Sequence, residues 1–175
     1  MSILKVARMG HPVLRTKARS LERPDVKSAA VQKLIDDMFE TMTEYHGVGL
    51  AAPQVHEGLR LFVASLDSGD DDESQPEPIV LINPEISIVG SDVVEDWEGC
   101  LSIPDVRGRV PRAREIKVRA RNRHWEWMEL EASDFPARVV QHETDHLDGV
   151  LFLDRMRSFE SLTFLDEYSR YWTKD

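Results

Sequence analysis

Gln141-His142-Glu143-Thr144-Asp145-His146-Leu147-Asp148-Gly149 holds a His-Glu-x-x-His pentapeptide, and the fold and chemistry expected of this chain follow from how it is read. On an α-helix, residues four apart differ by about 40° around the axis. His142 and His146 therefore share one face, one turn apart, where two imidazoles can grip one metal ion. Glu143 is rotated by about 100° from His142. It can reach a water held by such an ion without ligating it, which suits a general base and proton shuttle. The plain alternative is an exposed helix face with solvated histidines.

A catalytic metal site needs a third protein ligand. Metallopeptidases built on this pentapeptide find it downstream, but after His146 only acids remain: Asp148, Asp154, Glu160, Asp166, Glu167 and Asp175. Glu160 is a conceivable ligand at a spacing of fourteen residues. Upstream lies Asp96-Trp97-Glu98-Gly99-Cys100-Leu101-Ser102-Ile103-Pro104, with the single cysteine of the chain beside a glycine. A lone cysteine is by itself more often a small buried hydrophobe. A third segment, Gly47-Val48-Gly49-Leu50-Ala51-Ala52-Pro53-Gln54, follows a strong helical pattern. Its glycines let the backbone approach a ligand, and Gln54 can donate an amide hydrogen to a carbonyl oxygen. It lacks the Lys-Ser/Thr ending of a phosphate loop, and alone it reads equally well as a helix C-cap and turn.

Together these segments closely resemble the three signature motifs of the peptide deformylase family. The matches are Gly47-x-Gly49-x-Ala51-Ala52-x-Gln54, Glu98-Gly99-Cys100-Leu101-Ser102 and Gln141-His142-Glu143-x-Asp145-His146-Leu147-x-Gly149, with every specified position filled. The likeness continues through Asn83-Pro84, Val110-Pro111-Arg112 and Gly149-Val150-Leu151-Phe152, from about residue 3 to 157.

The resemblance implies hydrolytic removal of the formyl group from N-formyl-methionine at the start of nascent peptides, releasing formate. It implies that Cys100, His142 and His146 hold one divalent ion and leave a fourth position for water. In the family the ion is usually Fe(II), although zinc, nickel or cobalt can take the place. Glu143 would be the base, and the Gln54 amide with the Leu101 backbone N–H would stabilise the oxyanion. Val48, Gly49, Leu101, Phe135 and Val139 would form the methionine pocket, and Glu98 would pair with Arg112 to support the Cys100 strand. Three stretches depart from the family pattern. Asp134-Phe135-Pro136 stands where a glycine is common, Asn122 to Trp127 replaces a shorter hairpin, and the C-terminal helix is partly acidic where some members use basic residues to touch the ribosome. Transient ribosome contact is therefore left open here. Three rival functions share some of these residues: a metallopeptidase with a downstream ligand, a non-catalytic metal binder, and a cysteine nucleophile using His142 as base.

Length and composition agree with one catalytic domain spanning residues 1–175. With 175 residues and 41% hydrophobic content the chain can bury a sizeable core. One cysteine makes no intramolecular disulfide, and a thiolate ligand favours a reducing compartment. The first residues show no secretion signal and no run approaches membrane-spanning length, so a cytoplasmic location is expected, with no membrane partner. The net charge of −10 disfavours nucleic acid as a specific partner. Residues 67–78 carry six acids and no base, which reads as an acidic surface loop.

Periodicity supplies the remaining elements. Ser28 to Tyr45 carries Val31, Leu34, Ile35, Met38, Phe39 and Met42 as the stripe of an N-terminal amphipathic helix. Short strands are expected at 59–64, 80–82, 86–89 and 93–98. Ile116, Val118 and Ala120 alternate with Lys117, Arg119 and Arg121, while Met128 and Leu130 alternate with Glu129 and Glu131. The basic and acidic faces can pair across a ribbon. The metal helix is expected to start near Asp134, with Pro136 in its first turn, and a C-terminal helix to span 158–172. The fold class is α+β: a central metal-binding helix packed against antiparallel β-sheets, flanked by the N-terminal and C-terminal helices.

Overall fold

The computed structural model describes residues 2–66 and 77–173, so most of the acidic stretch at 67–78 lies outside the described residues. In chain order the elements are α1 (Arg23–Lys27), α2 (Ala29–Glu44), β1 (Gly49–Ala51), β2 (Leu61–Ala64), β3 (Ile79–Cys100), β4 (Ile103–Arg121), β5 (Trp127–Ser133), α3 (Asp134–Leu147), α4 (Phe152–Arg155), β6 (Thr163–Phe164) and α5 (Leu165–Tyr171). The strands run antiparallel in the order β1-β2-β3-β4-β5, with β6 added to β4. This is the expected α+β class, with α3 at its centre.

Ser28 starts α2 by accepting the Val31 N–H at 3.2 Å, which satisfies one of the free amides of the first turn. Its apolar stripe then packs Val31, Ile35, Met38 and Met42 on Leu50, Leu61, Val63, Val80 and Ile82. Ile35 and Met38 are completely buried, and each such side chain stabilises the fold by about 1.5–3 kcal/mol. A charged residue at Met38 would break this layer. The helix ends where His46 turns to φ 53° and Gly47 N–H bonds Met42 O at 2.9 Å, delivering the chain into β1.

Helix α3 is buried nearly all round, as a helix at the middle of a domain must be. Ala137, Val139, Val140 and Leu147 meet Phe62, Leu81, Ile116, Val118 and Ala120 of the sheet. Asp134 takes φ 53°, a left-handed conformation that costs a residue with a β-carbon more than glycine. Pro136 follows in the first turn, where its missing N–H is harmless. A side chain fastens the helix to the hairpin: Gln141 Nε2 donates to Ala113 O at 2.9 Å, and Gln141 Oε1 accepts Ala113 N–H at 3.1 Å. At its C-terminal end Gly149 has φ 73°, and a β-carbon there would stand 2.8 Å from the Arg15 backbone.

Two expectations need correction. The strands expected at 80–82, 86–89 and 93–98 are parts of one strand, β3. Register shifts between Ile82 and Glu85 and between Val89 and Val93 reset the inward-outward alternation while pairing with β4 continues. The helix expected over 158–172 is instead a 3-10 turn at Phe159–Ser161, then β6, then the shorter α5. Thr163 and Phe164 pair with Arg107 and Val106 of β4, so exposed strand-edge groups capture residues that helical periodicity alone would have claimed. The charged ribbon forms as read: Lys117 opposes Glu131 at 2.7 Å and Arg119 opposes Glu129 at 3.8 Å. Arg119 and Arg121 also lie over the half-exposed Trp127 ring, at 3.8 and 3.5 Å from its centroid. Among the described residues no helix is long and apolar enough to cross a membrane.

Candidate metal centre and active site

Two elements converge on one cluster. β3 ends at Cys100, α3 carries His142 and His146, and the ligand atoms of these three buried residues all lie within 4.8 Å of one another. Cys100 Sγ is 3.3 Å from His146 Nε2. His142 Nδ1 is engaged by Glu98 Oε2 at 2.9 Å, which leaves its Nε2 for the cluster. Burial alone pushes the Cys100 thiol up, yet His146 and His142 beside it hold the thiol well below its ordinary range. Burial likewise pulls His142 down, but its hydrogen bonds to Cys100 and Glu98 hold it well above the usual histidine range. A thiolate and two imidazoles at this spacing fit a single soft-to-borderline divalent cation.

Glu143 is buried beside the cluster, and among the described residues its Oε2 has no hydrogen-bond partner. Burial raises its carboxyl above the ordinary range. It sits against the Gly49 backbone so closely that a β-carbon at Gly49 would stand 2.7 Å from Glu143 Cδ. Gln54 is oriented by its other end: Oε1 accepts Ala51 N–H at 2.8 Å, so Nε2 reaches toward Cys100 Sγ at 3.5 Å and the buried Ser102 Oγ at 3.3 Å. Leu101 lies in the two-residue turn between β3 and β4, directly after Cys100. Val48, Gly49, Leu101, Phe135 and Val139 all line one cleft of ≈ 840 Å³ that also contains Cys100, His142 and Glu143. Val139 is buried, whereas Val48 and Phe135 are about half exposed at the mouth.

Behind the cluster stands a buried ionic network. Arg112 grips Glu98 with two parallel bonds of 2.9 and 3.0 Å, and its Nη1 reaches Asp145 Oδ2 at 2.5 Å. Arg138 adds a second cation to Glu98 at 2.8 Å while donating to Val110 O and Val94 O, both at 2.7 Å. Asp145 is tied outward to Arg155 at 2.7 Å. Burial works against the Glu98 charge, but bonds from His142 and Arg112 bring its carboxyl down to about 2. The sequence reading paired Glu98 with Arg112 and missed Arg138, Asp145 and Ser102 as partners. The one available signal was that Arg138 precedes His142 by four residues, placing a cation one turn below an imidazole.

Comparison with known proteins bears on this geometry. The family model described as polypeptide deformylase matches residues 3–161. Peptide deformylase 2 of Nostoc sp. is 41% identical over 99% of this chain and 97% of its own length. Peptide deformylase of Salinibacter ruber is 46% identical over 90% and 82%. The crystal structure of peptide deformylase from Thermotoga maritima superposes with a TM-score of 0.80 at 38% identity, covering 90% of this chain and all of that one. The Met-Ala-Ser-bound class I type b peptide deformylase of Acinetobacter baumannii gives 0.81 at 39% identity, covering 89% of this chain and all of that one. The chain belongs to the polypeptide deformylase family, and it is a metal-dependent hydrolase that removes the formyl group from newly synthesised polypeptides.

Proposed function

We propose that Cys100, His142 and His146 are the metal ligands and Glu143 the catalytic base, that Gln54 and the Leu101 N–H stabilise the oxyanion, and that Fe(II) is the working ion. The observation that carries this reading is the buried thiolate and imidazole cluster with an unpaired carboxylate oxygen beside it. The ion, when bound, supplies Lewis-acid polarisation and a water of lowered pKa. Glu143 is placed to take the proton from the attacking water and return it to the leaving amine, and the raised carboxyl suits both transfers. Gln54 cannot swing away, because Ala51 N–H holds its oxygen. Its N–H group thus donates to the developing oxyanion without reorganisation. Val48, Gly49, Leu101, Phe135 and Val139 receive the methionine side chain, and Glu98 with Arg112 fixes the His142 ring and the end of β3.

Cys100 and His142 line a cleft that is open to solvent, as a substrate with a long peptide tail requires. One solved relative carries Met-Ala-Ser, which has the form of a deformylated product. The same reading places the enzyme in the cytoplasm, meeting formylated chains transiently near the ribosome, with the net charge of −10 keeping contact with RNA weak. The test is metal analysis of anaerobically purified protein together with formate release from formyl-Met-Ala-Ser, with the unformylated peptide as control. Cys100→Ala and His146→Ala should each lose most bound metal. Stoichiometric iron retained in both would overturn the ligand assignment.

A further inference from the structure

Lys5, Arg8, His46 and Arg107 all line the cleft of a chain whose net charge is −10. The N-terminal segment is laid across the site by two backbone bonds, Ala7 N–H to Gln54 O at 2.7 Å and Met9 N–H to Ser102 O at 2.8 Å. Those bonds bring Lys5 and Arg8 to the rim. Arg107 comes from β4 and is half-buried. Its guanidinium covers Gly99, where a β-carbon would stand 2.7 Å from Arg107 Nε.

Arg107 Nη1 donates to Val106 O at 2.9 Å. Among the described residues no carboxylate pairs with Lys5, Arg8 or Arg107, although most other arginines here are ion-paired. The cleft's own acids are occupied or peripheral. Glu98 is bound by Arg112 and Arg138, Glu143 is buried against Gly49, and Asp105 is exposed at the lip. A half-buried guanidinium facing a peptide cleft without an anion is poised to accept one, and its planar fork suits a carboxylate.

We propose that Arg107, assisted by Lys5 and Arg8, forms a subsite for a peptide carboxylate located one or two residues after the formyl-methionine. The proposal rests on the reading that the formyl group is processed at Cys100. Gly99 immediately precedes Cys100, so their Cα atoms are about 3.8 Å apart, and an extended peptide advances about 3.3 Å per residue. With the formyl end at the metal cluster, the second or third residue comes within reach of the cation over Gly99. The carboxylate can be a side chain or the end of a short peptide.

The experiment compares KM and kcat of the iron-loaded enzyme for formyl-Met-Ala-Glu-amide, formyl-Met-Glu-Ala-amide and their glutamine counterparts, with formyl-Met-Ala-Ser as free acid and as amide to separate chain end from side chain. In at least one pair the carboxylate peptide should show a KM lower by about five-fold or more, with kcat little changed and the advantage shrinking at about 0.5 M salt. Arg107→Met should bring that ratio close to one and Arg107→Lys should restore part of it. The double variant Lys5→Met with Arg8→Met should reduce it partially. Equal KM values in every pair, or a preference that survives Arg107→Met, would overturn the subsite while leaving deformylation at Cys100 intact. No turnover of any formylated peptide would overturn the underlying reading and the subsite with it.

Discussion

Gly49→Ala adds one methyl group to the active site at a place where its consequence can be calculated. Gly49 pairs with Ala64 in β1 and is not among the positive-φ glycines, so its backbone accepts an alanine. The obstacle is Glu143. The new β-carbon would clash hardest with Glu143 Oε1 and would stand 2.7 Å from Cδ and 2.8 Å from Cγ, against the 3.4 Å at which ordinary contact begins, so the carboxylate must retreat by about 1 Å. A displacement of this order from a productive geometry lowers rate by about 10- to 100-fold. Because the three atoms nearest the added methyl all belong to Glu143 and none to Cys100, His142 or His146, metal content should stay stoichiometric and the loss should appear mainly in kcat. The assay is steady-state deformylation of formyl-Met-Ala-Ser with parallel metal analysis. Gly47→Ala serves as comparison, since its β-carbon meets the flexible Leu101 Cδ1 at 3.2 Å and makes ordinary contacts with Gly49 O at 3.4 Å and Met42 O at 3.6 Å, without reaching Glu143 among its three nearest atoms. A Gly49→Ala enzyme with full iron and unchanged kcat would show that the position of Glu143 does not govern the rate.

Glu143→Gln removes the proposed proton carrier but none of the proposed ligands, so metal and peptide binding should persist while kcat drops by about 10² or more; near-normal turnover would take Glu143 out of the mechanism. Arg138→Ala leaves Glu98 with one cation fewer and strips Val94 O and Val110 O of a donor, and chemical denaturation should register a loss of about 3–5 kcal/mol. Arg114→Ala breaks only the exposed pair with Asp134 and should cost under about 1 kcal/mol; equal losses in the two variants would contradict the buried-network argument. Burial is outweighed at both groups, so that hydrogen bonds to Cys100 and Glu98 hold His142 well above its ordinary pKa while His146 and His142 hold the Cys100 thiol well below its own, and ion binding should displace the proton that this pairing keeps on His142. Affinity should accordingly fall as pH is lowered and rise with pH until metal-free His142 itself deprotonates; calorimetric titrations in buffers of different ionisation enthalpy should detect about one proton released per ion, and none would refute the assignment. Formyl-norleucine peptides should be processed nearly as well as formyl-methionine, and formyl-aspartate peptides poorly, because a pocket of Val48, Leu101 and Val139 separates methylenes weakly but rejects a buried charge. Equal kcat/KM for all three would mean that no apolar methionine pocket exists.

What the sequence decided by itself is what depends on short-range geometry. Four-residue spacing puts His142 and His146 together on any helix that contains them, and the stripe from Val31 to Met42 needs only helical periodicity to find its buried face. Cys100 was different, because nothing local says where a lone thiol will lie. Only its likeness to a family motif linked it to residues more than forty positions away. Tertiary structure alone decided the partners of the charged residues. Arg112, Arg138, Glu98 and Asp145 meet because the β3–β4 hairpin register and the rotation of α3 bring them to one buried point, and either is set by contacts distant in sequence. The same distinction explains the C-terminal segment, whose periodicity spelled helix over 158–172. Thr163 and Phe164 found an unpaired edge of β4 instead, and a strand's hydrogen-bond partner, unlike a helix's, lies on another part of the chain.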